Sequence, residues 1–318
     1  MYFLYTHLYS RKVPTMTDHL PNFLIAGAAK SGTTSLYYYL MDHPEIYFSK
    51  IKEPEYLTSE VVTDQYLTRL SRRPYIKTLE EYKILFSDVK NEKAIGEGST
   101  DTIYYYHTTI PRIMNLLGDP KIIIMMRNPP YAAFSMYSHM IRDNQEDLSF
   151  EDALAMEDER IRNHQPCAYH YKARALYAHQ VKAFLEAFSQ VKVLIYEEFI
   201  RDIPGTIKEV CSFLEIDPNY QPTNTSIRYN ASGVPRLKWF NNIFTMKNPI
   251  QRHIRKIGMS LLSGPVYAGL RDSIRQKNII KLKMKPETLA YLKEYYHEDI
   301  LTLQKILDRD LGIWLNEK

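Results

Sequence analysis

Cysteine is scarce: Cys167 and Cys211 are the only two in 318 residues. They stand far apart and form no CxxC pair, which argues against a disulfide framework and a thiolate metal site. They read as two small buried hydrophobes, and two lone thiols in so long a chain suit a reducing cytoplasm. Long apolar runs are missing too. No stretch reaches about 18 apolar residues without a charge, so the sequence predicts no transmembrane helix. Residues 1–20 mix Tyr, His, Arg, Lys and Asp. They lack the apolar run of a signal peptide and are expected to form a flexible arm. No repeat, low-complexity tract or Gly/Ser-rich linker divides the remainder, so 21–318 is expected to be one domain.

Acidic residues are nearly absent from one segment. Between Arg236 and Lys285 the chain carries twelve lysines and arginines against the single acid Asp272. That net +11 sits within a formal total of +4, leaving −7 for the rest. Such asymmetry points to an anionic ligand, polymer or membrane surface beside this segment. A solvated helix face is the plainer alternative.

Short apolar runs alternate with helical patterns. Asn22-Phe-Leu-Ile-Ala-Gly27 reads as a buried strand and Leu36–Met41 as a helix ended near His43-Pro44. Lys93-Ala-Ile-Gly96 and Val191–Tyr196 are further strand candidates. The run Lys121-Ile-Ile-Ile-Met-Met126 is the clearest: continuous apolar character between two prolines suits a central parallel strand covered on both faces. Helical patterns fill Tyr131–Phe188, broken near Pro166, and recur over Ile203–Leu214 and Pro286–Leu311. This alternation predicts an α/β fold with a mostly parallel, P-loop-like sheet flanked by helices.

Between the first strand and helix lies Gly27-Ala-Ala-Lys30-Ser31-Gly32-Thr33-Thr34-Ser35. Backbone N–H groups of such a loop, with the following helix N-terminus, cradle an anion. Lys30 adds a charge, and Ser31, Thr33, Thr34 and Ser35 add hydroxyls. It is not a Walker A loop, which needs Lys directly after the second Gly; here Thr33 follows Gly32. Arg127 stands where the clearest strand ends, the ligand edge of a parallel sheet. Ser135 follows eight residues later, near the start of a helix. Arg supplies a fork and Ser a hydroxyl for a second phosphate. A P-loop kinase usually carries a strand-end Asp for magnesium there, so Arg127 argues against metal-assisted ATP chemistry.

With these residues the chain resembles the sulfotransferases that use 3'-phosphoadenosine-5'-phosphosulfate (PAPS), in the branch of heparan sulfate sulfotransferases and bacterial relatives. Lys30-Ser-Gly-Thr-Thr-Ser35 resembles the family's 5'-phosphosulfate loop, and Arg127 with Ser135 its 3'-phosphate pair. Lys52-Glu53-Pro54 resembles a signature of that branch. Gly96-Glu-Gly-Ser-Thr100, Tyr196-Glu-Glu-Phe199 and Leu311-Gly-Ile-Trp314 resemble lesser landmarks, so the likeness runs from about Pro21 to Trp314.

The resemblance implies PAPS as donor, PAP as product, no metal, and an acceptor hydroxyl on a glycan, a lipid or a small molecule. It casts Lys30 as the group facing the leaving phosphate, Glu53 as the base and Lys52 as a further catalytic residue beside the donor or acceptor. Pro54 is expected to hold Glu53 extended. Glu97, Asp101 and His107 are reserve bases. Tyr196 is expected at the nucleotide. Asn230-Ala-Ser232-Gly233-Val-Pro-Arg236 resembles the loop that closes over it, with Ser232, Gly233 and Arg236 touching the donor. The heparan sulfate enzymes have a different loop there with a disulfide nearby, so a polysaccharide acceptor does not follow from the fold. Most of the 26 tyrosines read as half-buried packing, one aromatic being expected to stack on adenine. Two other classes compete with this reading: a P-loop small-molecule kinase, and a non-catalytic nucleotide or polyanion binder.

Overall fold

The computed structural model describes residues 19–61, 76–222 and 282–315, with the backbone of a strand pair at 234–235 and 279–280. The expected arm, the donor contacts Ser232, Gly233 and Arg236, and most of the basic segment lie outside the described residues.

The elements in chain order are β1 (Phe23–Gly27), α1 (Thr33–Leu40), β2 (Ile46–Phe48), α2 (Leu79–Ile84), β3 (Ala94–Gly98), α3 (Tyr106–Leu117), β4 (Lys121–Met126) and α4 (Pro129–Arg142). There follow α5 (Phe150–Ala155), α6 (Glu157–Arg162), α7 (Tyr177–Ala187), β5 (Val191–Ile195), α8 (Tyr196–Arg201) and α9 (Ile203–Phe213). The short pair β6 (Val234–Pro235) and β7 (Ile279–Ile280) precedes α10 (Pro286–Leu307) and α11 (Gly312–Leu315). The main sheet runs β2-β3-β1-β4-β5, with every neighbouring pair parallel.

The continuous apolar strands are explained by cover on both faces. Along β4, Ile122, Ile124 and Met126 join a cluster with Tyr137 of α4, Phe184 of α7, and Tyr296 and Ile300 of α10. Ile123 and Met125 point the other way, into a cluster with Leu36 and Tyr37 of α1 and Val210 of α9. Burying each such side chain contributes about 1.5–3 kcal/mol. The C-terminal helix thus packs on the same sheet as the first strand. All five strands leave the sheet at one edge, where parallel α/β sheets hold their ligands.

Three expectations need correction. The helical region 131–188 breaks near Pro166, as expected, but also well before it, after Arg142. Asn144 adopts a left-handed φ of 55° after α4, and Ser149 caps α5 by accepting the Asp152 N–H at 3.2 Å. Beyond α6, the chain makes only single 3-10 turns at Cys167–Tyr169 and Ala173–Ala175, and the buried carboxylate of Glu157 anchors the second by accepting the N–H groups of Lys172 and Ala173, both at 2.7 Å. The last long helix stops at Leu307 rather than Leu311, because Asp308 turns left-handed at φ 47°. Ser135 lies two turns inside α4, not near its start: Pro129 and Pro130 open that helix, where a missing N–H costs nothing.

Candidate active site

The loop after β1 is a cradle built from unusual backbone. Lys30 is left-handed at φ 66°, and Gly32, the N-cap of α1, sits at φ 95°. A Cβ at Gly32 would stand 2.7 Å from the Tyr196 ring, so both conformation and space demand glycine here. The first N–H groups of α1 have no acceptor within the helix, and no acidic residue lies in its first turn. The hydroxyls of Ser31 and Tyr177 are fully buried with no well-formed hydrogen bond. Burial pushes the Tyr177 phenol up, with the Ser31 hydroxyl beside it opposing.

The loop after β4 stands next to this cradle because β1 and β4 are neighbours. Arg127 lays its guanidinium 4.9 Å from the centroid of Tyr196. Tyr196 therefore braces both loops, one through Gly32 and one through Arg127. The adjoining Glu197 closes a knot: it accepts the Asn128 backbone N–H at 3.1 Å and the Trp314 indole N–H at 3.0 Å. The Tyr196-Glu-Glu-Phe and Leu-Gly-Ile-Trp landmarks are thereby joined, and the loop carrying Arg127 is fixed between them. Ser135 is buried one helical stretch further along α4.

Lys52 and Glu53 reach the same sheet edge after β2. Their side chains form an ion pair at 2.6 Å, and the Lys52 ammonium lies 5.8 Å from the Tyr37 ring centroid. The expected extended conformation at Glu53 is not found: its φ is 58°. The Glu53 N–H instead bonds the Gly98 carbonyl at 3.1 Å, which turns the chain across the end of β3. Beside it a small recess is lined by Ile25, Thr33, Tyr37, Lys52, Gly98 and Thr100.

The reserve bases are placed elsewhere or engaged. Glu97 is buried, bonded by Tyr82 Oη and by Ser99 Oγ at 2.6 Å, and burial raises its pKa. Ser99 in turn lies 3.4 Å from the Glu55 N–H, so Glu97 backs the Lys52-Glu53-Pro54 loop. Asp101 pairs with Arg174 at 2.6 Å. His107 is exposed on α3, its ring against Tyr106.

The residue the sequence did not flag is His139, one turn beyond Ser135 on α4. Its Nδ1 stands 2.7 Å from Lys30 Nζ, and its Nε2 stands 3.1 Å from Asp143 Oδ2. Arg142 Nε donates to the other Asp143 oxygen at 2.9 Å. Burial, then the charge of Arg142, lowers the Lys30 pKa to about 7, while Glu53 and Asp143 oppose. The Lys30 charge, then burial, lowers His139 to about 4. Burial pulls Asp143 upward, but hydrogen bonds from His139 and Arg142 hold it well below the usual carboxylate range.

A model of the sulfotransferase family matches residues 21–221. The crystal structure of a sulfotransferase from Alicyclobacillus acidocaldarius aligns with a TM-score of 0.71 and 30% identity, covering 93% of this chain and 99% of that one. Among curated proteins, a membrane-associated sulfotransferase of Dictyostelium discoideum (kil1) is 35% identical over 125 residues, 39% of this chain and 24% of the relative. The bifunctional heparan sulfate N-deacetylase/N-sulfotransferase 4 of Mus musculus is 29% identical over 219 residues, 64% of this chain and 23% of the relative. The chain therefore spans about a quarter of the length of these curated relatives.

Proposed function

We propose, for a chain that belongs to the sulfotransferase family, that it transfers a sulfuryl group from PAPS to an acceptor hydroxyl or amine. One observation carries this reading: the loops holding Lys30 and Arg127 leave adjacent parallel strands and both meet the ring of Tyr196. Two cation-bearing loops fixed side by side suit a ligand with anionic groups at two positions, and the buried, incompletely bonded Ser31 and Tyr177 hydroxyls suit a polar ligand atom between them.

When bound, PAPS supplies the activated sulfuryl group and the leaving 5'-phosphate. Lys30, with the N–H groups of Gly32 and Thr33, stabilises negative charge at that leaving oxygen; such fixed donors need no reorganisation as charge develops. Ser31, Thr34 and Ser35 complete the same cradle. Arg127 and Ser135 hold the 3'-phosphate and so fix the reacting atoms in line. Glu53 accepts the acceptor's proton, and Lys52 holds its carboxylate in place.

The acceptor belongs to the same proposal. Relatives named for heparan sulfate, and carbohydrate sulfotransferase 15 of Mus musculus at 26% identity, favour a glycan. The +11 of the segment 236–285 favours an anionic one or an anionic surface. We place the protein in the cytoplasm, on two buried cysteines that form no disulfide; fractionation tests this, a membrane pellet being the contrary result. The activity is tested by incubating the protein with sulfur-labelled PAPS and pooled hydroxyl and amine acceptors. Label in an acceptor is expected; no transfer from PAPS, with transfer of phosphate from γ-labelled ATP in magnesium, points to the kinase reading.

A further inference from the structure

The Asp143–His139 pair is more than a helix-surface contact four residues apart. Asp143 offers only acceptor oxygens when ionised, so the His139 nitrogen facing it, Nε2 at 3.1 Å, carries the ring proton. In a neutral imidazole the other nitrogen then holds a lone pair, and Nδ1 points it at Lys30 Nζ, 2.7 Å away. Lys30 is thus the donor in that contact. One of its three N–H bonds is spent on His139, and two stay available toward the cradle.

This matters because a lysine side chain is long and flexible, and orienting it costs rotamer freedom. Here the backbone is left-handed at Lys30, and Arg142, Arg127, Glu53, Asp143 and His139 all act on its ammonium. Of these groups, His139 makes the direct contact, and Asp143 fixes which ring nitrogen makes it. Arg142 clamps Asp143 from the other side, with Nε and Nη2 on its two oxygens at 2.9 and 3.3 Å.

We infer that His139, oriented by Asp143, is a positioning residue that aims the Lys30 ammonium at the leaving oxygen of the donor. The inference rests on the assignment of Lys30 to the donor's 5' end. His139 itself touches neither reacting atom. It acts by holding Lys30, so its effect disappears when Lys30 is absent.

The test is a double-mutant cycle read by both turnover and ligand binding. Misplacing a catalytic group by about 1 Å costs up to about 100-fold. His139→Ala is expected to lower kcat with PAPS by about 10- to 100-fold while changing KM for PAPS by less than about 3-fold and leaving PAP binding measurable. His139→Gln, whose amide oxygen can accept from Lys30, is expected to recover most of the loss. Asp143→Asn, which lets the ring adopt the other tautomer, is expected to lose nearly as much as His139→Ala. The pair Lys30→Ala with His139→Ala is expected to be no slower than Lys30→Ala alone. Wild-type kcat in His139→Ala, or losses that multiply in the double variant, would overturn the inference. Loss of PAP binding in His139→Ala and His139→Gln alike would assign the pair to the fold instead. Failure of the wild type to bind PAP would overturn the function itself, and is seen separately from the variants.

Discussion

Arg127 stacks its guanidinium 4.9 Å from the centroid of Tyr196. The ring also fills the space that a side chain at Gly32 would need, so one aromatic couples the loops that carry Lys30 and Arg127. Tyr196→Ala is expected to weaken PAP binding about 2- to 30-fold, the range of a cation–π contact from exposed to desolvated. Tyr196→Phe should bind as wild type. Calorimetric titration with PAP checks both.

Lys30 and Arg127 should fail differently. On the proposed function, Lys30 faces charge that grows in the transition state, whereas Arg127 faces a phosphate charged throughout. Lys30→Ala is expected to lower kcat about 100- to 1000-fold. Arg127→Ala should chiefly raise KM for PAPS. Steady-state kinetics at saturating acceptor separates the two, and near-normal kcat in Lys30→Ala would remove it from the reaction.

Donor binding should take up a proton. Burial and Arg142 hold the Lys30 pKa at about 7 in the free protein. A bound anion beside Nζ raises it, because it favours the charged amine. Above pH 7 the free lysine loses its proton, and binding must restore it. PAP affinity is therefore expected to fall as pH rises above 7, by up to about tenfold per pH unit. Lys30→Arg, charged throughout this range, should flatten the profile.

His170 links stability to pH. Its ring is buried, its Nδ1 lies 2.8 Å from Tyr104 Oη, and burial followed by Arg174 lowers its pKa from 6.5 to about 4. Between these values the unfolded chain binds the proton and the folded chain does not. Stability from this group is complete above pH 6.5 and is lost as pH falls toward 4, by about 3 kcal/mol in all. His170→Gln should shallow the fall in denaturation midpoint over that window relative to wild type.

The C-terminal knot is testable apart from ligand. Trp314→Phe removes the indole N–H that Glu197 accepts at 3.0 Å. Losing a hydrogen bond to a charged group is expected to cost about 1–3 kcal/mol, read as a lower midpoint in urea. A weaker affinity for PAP should accompany it, since Glu197 also holds the Asn128 N–H beside Arg127.

Much of the sheet was legible because its strands are buried on both faces and so appear as unbroken apolar runs: Lys121–Met126 matches β4, and Val191–Tyr196 overshoots β5 by one residue. The strand Ile46–Phe48 escaped because it is three residues long at the sheet's margin, too short for a period. Helix α3 carries Pro111 inside it, a residue that reads as a stop. The loops with Lys30 and Arg127 were visible as composition at strand ends. His139 was not: His139 and Asp143 have the spacing of an ordinary surface pair, and only the fold brings Lys30, 109 residues away in sequence, against the ring. Glu197 and Trp314, 117 residues apart, were legible as landmarks but not as partners.

The central claim is that the loops at Lys30 and Arg127 form one site for a nucleotide phosphorylated at two positions. Thermal unfolding with PAP in EDTA tests it most directly. At about 100 times its Kd, PAP should add about 2.7 kcal/mol of stability and raise the midpoint, and Arg127→Ala should require far more ligand for the same shift. A midpoint raised by ATP with magnesium but unmoved by PAP would contradict the account.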